Sequence, residues 1–210
     1  MGMDLVLAPS DRLRYPLPMT LLHVHQRQFT VDEYNRMAET GVLREGERVE
    51  LIEGVIVPLS AHNPTHSDAV ASTTTVLVIA FGKDHFVRVQ LPLEVSGISE
   101  PEPDFTVVPR KGARMGQRQP CWAPLVIEVA NTSLAYDRTE KASLYARAQI
   151  PDYWILNVAD RQVEVYREPA EDPSGFFGWK YQSLTILRPG QTVTPCALTA
   201  APLDVEEMLG

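Results

Sequence analysis

Apolar positions change period several times along the chain, and each change marks an element. Thr30, the run Val31 to Glu39 and then Gly41 predict a short helix with a threonine N-cap and a glycine stop. Val-Glu-Leu-Ile and Val-Ile-Val on either side of Glu53-Gly54 predict a hairpin across Arg48 to Leu59. From Ser67 to about Lys83 a long helix carries a face of Ala, Val, Thr and Leu. Its threonines, Thr73 to Thr75, are poor helix formers, so packing must hold it. Phe86–Val95 and Phe105–Val108 read as strands, and Leu125–Ala130 as a strand buried on both faces, because nearly every position is apolar. Asp137 to Gln149 reads as a helix, with Asp137 and Glu140 in a capping-box arrangement and Pro151 ending it. Tyr153–Val158 and Gln162–Arg167 pair around Ala159-Asp160-Arg161, Trp179 to Leu187 is a further strand, and Val205 to Leu209 closes the chain as a helix. Helices alternating with buried strands predict an α/β fold with a mixed central sheet. Residues 1–28 read as an N-terminal arm ahead of a single domain, 29–210.

Two acids interrupt the apolar pattern. Asp104 opens its strand directly after a proline, and Glu128 lies in the middle of Leu125–Ala130. A carboxylate so placed needs a compensating group. Lys141 offers one: with Leu144, Tyr145 and Ala148 it forms a single helix face at i, i+3, i+4 and i+7, so a lysine heads the stripe that packs on the sheet.

Composition narrows the possibilities. With 210 residues there is ample chain for a core. The apolar run Val76–Phe81 is far too short for a membrane span, and the N-terminus lacks a signal-peptide pattern. Cys121 and Cys196 show no metal or disulfide spacing, which makes a reducing cytoplasm the expected location. A formal charge of −8 argues mildly against a broad, non-specific grip on nucleic acid.

Other candidates are weaker. Periodicity alone makes Glu50 a solvent-facing acid on an edge hairpin. His62 and His66 have the four-residue spacing of two zinc ligands, but Pro64 between them breaks that geometry and no third ligand cluster follows. Trp154, between Tyr153 and Ile155, reads as core. Arg110, Lys111, Arg114 and Arg118 fill the loop between the two acid-bearing strands, loosened by Gly112 and Gly116. A solvated loop is the ordinary reading. It is also the only concentrated positive patch near the acids and so the best candidate for phosphate contacts.

The run PEPDFTVV, then LVIEVANTS, then DRTEKASLYARAQIPDYWIL resembles the Uma-type family of restriction-endonuclease-like proteins, in the PD-(D/E)XK nuclease superfamily. RVELIEGVIV, His66 and VQLPLEV extend the resemblance over most of residues 29 to 168. It implies a restriction-endonuclease-like core. The superfamily's lysine usually lies two residues after the acid, where this chain has Ala130, and in the resembling family it stands on the following helix, as Lys141 does. The resemblance also raises Glu50, from the recurring Glu-Leu-Ile-x-Gly, and places His66 and Gln90 near the site, while Glu53 falls on that motif's variable position. It implies that Asp104, Glu128 and the Val129 carbonyl hold Mg²⁺ or Mn²⁺, with Lys141 and Glu50 completing the catalytic set. The expected reaction is hydrolysis of a nucleic-acid phosphodiester, DNA first, by a homodimer. Three alternatives stay open: an inactive binding module, a metal-dependent hydrolase of small phosphate esters, and a purely structural Glu128–Lys141 ion pair.

Overall fold

The computed structural model describes residues 27–59, 63–111 and 118–210. Most of the predicted arm, His62, Gly112, Arg114 and Gly116 therefore lie outside the described residues. Elements run in the order α1 (Val31–Glu39), β1 (Val49–Ile52), β2 (Val55–Pro58), α2 (Pro64–Phe81), β3 (His85–Val89), β4 (Phe105–Pro109) and β5 (Leu125–Ala130). Then come α3 (Leu134–Tyr136), a π-helical turn (Asp137–Lys141), α4 (Ala142–Arg147), β6 (Asp152–Asn157), β7 (Gln162–Glu171), β8 (Trp179–Leu187), β9 (Thr192–Val193), β10 (Leu203–Asp204) and α5 (Val205–Leu209).

Six strands form the central sheet in the order β3-β4-β5-β6-β7-β8. Only β5 and β6 run parallel, joined by the helical crossover α3–π–α4, and every other neighbour is antiparallel. This is the mixed sheet expected from the alternation of elements. Period-2 alternation assigns its two faces. Leu125, Ile127 and Val129 pack with Leu77 and Phe81 of α2 and with Met208 of α5. Val126 and Ala130 face the other way, toward Ala142 and Tyr145. Trp154 is fully buried in the first layer, as expected of core.

Local rules account for several element ends. Thr30 and Glu33 form a capping box on α1. The β1–β2 turn puts Glu53 and Gly54 at φ 50° and 74°, the two left-handed residues of a tight hairpin turn. The helix predicted from Ser67 starts earlier: Asn63 caps it, and Pro64 occupies the first turn, where a missing N–H costs nothing. The strand predicted over Phe86–Val95 stops at Val89, since Gln90 adopts φ 51° and Pro92 cannot donate to a ladder.

The largest correction concerns the crossover helix. Asp137 is not its N-cap. The helix begins at Leu134, and Asp137 lies inside it, buried, at the start of the π turn. Its carboxylate accepts the Ser133 hydroxyl at 2.6 Å instead of capping backbone amides. Such turns insert a residue into the helical ladder and recur at functional sites.

Candidate active site

The pairing Phe105↔Ile127 sets Asp104 opposite Glu128 on the sheet face that looks toward α4. Each acid accepts a backbone N–H from the other's segment. Val129 N–H donates to Asp104 Oδ2 at 2.8 Å, and Asp104 N–H donates to Glu128 Oε2 at 3.2 Å. Two neighbouring carboxylates are thus held by main chain, which cannot swing away.

Lys141 reaches them from the π turn. Its Nζ lies 3.1 Å from Glu128 Oε1 and 2.7 Å from Glu50 Oε2, with the side chain nearly inaccessible. Tyr145, one helical turn on, donates its hydroxyl to Glu128 Oε1 at 2.8 Å. The β1–β2 hairpin delivers Glu50 by pairing Leu51 with Glu100 just upstream of Asp104. Glu50 is 1 % exposed, so the solvent-facing reading from periodicity is overturned. It accepts the Glu102 N–H at 3.1 Å and the Tyr136 hydroxyl at 3.3 Å.

His66 enters from the first turn of α2. Nδ1 is 3.0 Å from the Val129 carbonyl and Nε2 is 3.2 Å from Asp104 Oδ1. Both neighbours are acceptors, so the imidazolium is the form that donates to both. Burial disfavours that cation, but Asp104 and the Val129 carbonyl outweigh it and hold the His66 pKa above its ordinary value. Gln90 closes the group, its Nε2 donating to Asp104 Oδ1 at 3.1 Å.

Charges in the cleft are strongly perturbed. Burial pushes the Glu128 carboxyl up to about 8, with Lys141 opposing and the Asp137, Asp104 and Glu50 carboxylates adding. For Asp104 burial acts the same way, but His66, the Val129 N–H and Gln90 win and its pKa is lowered. Burial lowers Lys141, yet Glu128 and Glu50 more than offset it, so the ammonium is retained. Asp137 is raised to about 6, chiefly by burial, against the opposing Ser133 hydroxyl and Lys141.

A cavity of ≈ 300 Å³ is lined by Arg48, Glu50, His66, Asp104, Glu128, Val129, Asp137 and Lys141 among others. Five of the predicted residues plus Val129 thus meet in one cleft, with Gln90 bonded to Asp104 behind them. The described residues of the basic loop do not join them. Arg110 follows the far end of β4, stacked on Phe86 at 4.2 Å and donating to the Gly82 carbonyl, and Lys111 is exposed beside it. Arg118 faces Asp32 at 3.6 Å. Glu53 is also elsewhere, paired with Arg147. Sequence reasoning missed Tyr145, Asp137 and Tyr136. Tyr145 was visible on the lysine's stripe, but a tyrosine on an apolar face reads as core until the acid above it is located.

Among the described residues no three His, Cys, Asp or Glu side chains are arranged as a metal cage. The donor set suits a different kind of site. Asp104, Glu128 and Val129 line one cavity and offer hard oxygen donors, the ligand type that Mg²⁺ takes alongside several waters.

The family model described as "Uma2: Putative restriction endonuclease" matches residues 31–206. The chain belongs to this family. No protein of curated function matches it significantly. Among solved structures, it is similar to a "putative nuclease belonging to DUF820" from Anabaena variabilis ATCC 29413, with 16% identity and a TM-score of 0.62 over 86% of this chain and 97% of that one. This likeness shows that the Uma2 chain has the fold of that protein. A second match is the type IIG restriction endonuclease BpuSI, at 17% identity and a TM-score of 0.34, covering 52% of this chain and 13% of that one. No helix among the described residues is long and apolar enough to cross a membrane.

Proposed function

We propose that this Uma2 protein is a divalent-metal-dependent endonuclease that hydrolyses phosphodiester bonds of nucleic acid, with DNA as the first substrate to test. One observation carries the reading: Asp104 and Glu128 are locked face to face by each other's backbone, with Lys141 beside them in the same cavity. Asp104, Glu128 and the Val129 carbonyl would hold Mg²⁺ or Mn²⁺. When bound, the ion supplies an acidified water and polarises the phosphodiester. Lys141 is positioned to orient the attacking water or to offset charge growing on the phosphate. Glu50 holds that ammonium from behind, and His66 and Gln90 fix the Asp104 carboxylate. Tyr145 and Tyr136 orient the Glu128 and Glu50 oxygens.

The family's description and the name of the first structural neighbour support the reaction class, and the two exposed free thiols fit a reducing cytoplasm. Cutting both strands of a duplex calls for two sites, which favours a homodimer. Light scattering that finds only a 23.4 kDa species would remove that part.

The test is cleavage of duplex DNA, single-stranded DNA and RNA with Mg²⁺, with Mn²⁺ and with EDTA. Metal-dependent cleavage that disappears in Asp104→Ala is expected. Intact polymers under every condition would favour the rival reading, a binding module that kept the fold and locked Lys141 between two acids.

A further inference from the structure

A second cavity, of ≈ 330 Å³, lies between the π turn with α4 and the end of the β7–β8 hairpin. It shares a wall with the cleft: Asp137 lines the first cavity, and the next residue, Arg138, lines the second. Its lining is aromatic and cationic, with Tyr166, Tyr181, Trp179 and Phe176 alongside Arg138 and Lys180. Phe176 is 61 % exposed, an apolar ring left in water at the lip.

The hairpin end fixes the backbone that carries that ring. Asp172 N–H donates to the Gly178 carbonyl at 2.9 Å and Gly175 N–H to the Asp172 carbonyl at 2.8 Å. A Cβ at Gly175 would sit 2.1 Å from the Trp179 carbonyl oxygen, so only glycine permits this closure. Ser143 ties the loop to α4, donating its hydroxyl to the Trp179 carbonyl at 2.7 Å and accepting the Phe177 N–H at 2.8 Å. Both cations have partners at the rim. Glu164 grips Arg138 through Nε at 2.9 Å and Nη2 at 2.5 Å, which leaves further guanidinium N–H donors. Lys180 Nζ donates to the Ser174 hydroxyl at 2.8 Å. Nearby acids are already engaged: Glu164 is buried behind Arg138, and Asp172 accepts from the Ser174 amide and hydroxyl.

Aromatic rings beside cations suit a flat, anion-bearing ligand, the combination by which proteins take unpaired nucleotides without reading sequence. We propose that this cavity binds one unpaired nucleotide of the polymer lying across the catalytic cleft, its base stacked on Phe176 and its phosphate taken by Lys180. The assignment of the polymer rests on the nuclease reading. The pocket would then hold a strand end or an extruded base within reach of the scissile bond, so the enzyme would prefer single-stranded or distorted sites.

Binding can be separated from cleavage. Anisotropy of a labelled single-stranded oligonucleotide in EDTA reads affinity alone, on the full chain and on Phe176→Ala and Lys180→Ala. Both side chains are solvent-facing, so folding should survive, and circular dichroism checks this. Phe176→Ala should weaken binding by about tenfold. Lys180→Ala should reduce the salt dependence of log affinity by about 0.7. Affinity and salt dependence unchanged in both variants would overturn the proposal, as would a parent protein that binds no oligonucleotide. Phe176-dependent binding in a protein that cleaves nothing would uphold the pocket while sinking the nuclease reading, and cleavage with Phe176-independent binding would do the reverse.

Discussion

Lys141 Nζ lies closer to Glu50, at 2.7 Å, than to Glu128, at 3.1 Å. The ammonium is shared between an acid from the hairpin and one from the central sheet, and it joins two parts of the chain 91 residues apart.

That geometry gives Lys141→Ala two consequences. Cleavage should fall a hundredfold or more, about the loss of one transition-state donor. The buried Glu50 carboxylate would also lose its counter-charge, which should destabilise the protein by about 3–5 kcal/mol near neutral pH. Rates together with thermal melts check this, and a variant that cleaves and melts like the parent would place the lysine outside the mechanism.

Asp104→Asn should remove Mn²⁺ binding in calorimetry while leaving the side chain's shape. The same change deletes the main support of the His66 cation, so the His66 pKa should drop in an NMR titration. Retained metal affinity would argue against Asp104 as a ligand.

Asp137 opposes stability for the sake of its position. Its folded pKa, about 6, stands above the ordinary 3.8, so its contribution is fully present below 3.8 and is lost as pH rises through about 6. Asp137→Asn keeps an acceptor for Ser133 and should be more stable at pH 7 by up to about 3 kcal/mol. The advantage should vanish below 3.8. Denaturant melts at the two pH values test this, and equal stability at both would mean the carboxyl is not strained by burial.

Glu164 behaves in the opposite sense. Burial raises its pKa, but bonds from Arg138, Asn157, Gln162 and Tyr166 outweigh it and depress the carboxyl to about 2. Its contribution is present above 4.5 and is lost as pH falls toward about 2. Glu164→Gln should lower neutral-pH stability and flatten acid unfolding across that window. An unchanged acid limb in the variant would show that the network does not stabilise the fold.

The elements themselves were legible where one physical rule dominated. Leu125–Ala130 is apolar but for Glu128 and is a strand buried on both faces, and Thr30 caps α1 because the backbone amides there have no other partner. The lysine's stripe was readable for the same reason, since period alone puts Lys141, Leu144 and Tyr145 on one side of a helix. Where two rules competed, local pattern chose wrongly. Asp137 has the residue type of an N-cap, but a helix that starts three residues earlier draws it into a buried turn. Gln90 continues an alternating run, yet the left-handed backbone at that residue ends the strand and turns the amide onto Asp104.

By itself, the sequence determined that Asp104 and Glu128 sit on apolar strands needing compensation and that Lys141 points inward, because burial, period and charge cost act within a few residues. Burial and period could not determine what met them, and only the family resemblance pointed to Glu50 and His66. Physically, Glu50 reaches the site through the Leu51–Glu100 bridge, and His66 because α2 crosses the sheet with its first turn over Val129. The same long-range packing sent Arg110 to the other end of β4 and put Arg138 and Phe176 around a second cavity. Contacts between distant segments depend on register and crossover direction, which only the assembled sheet decides.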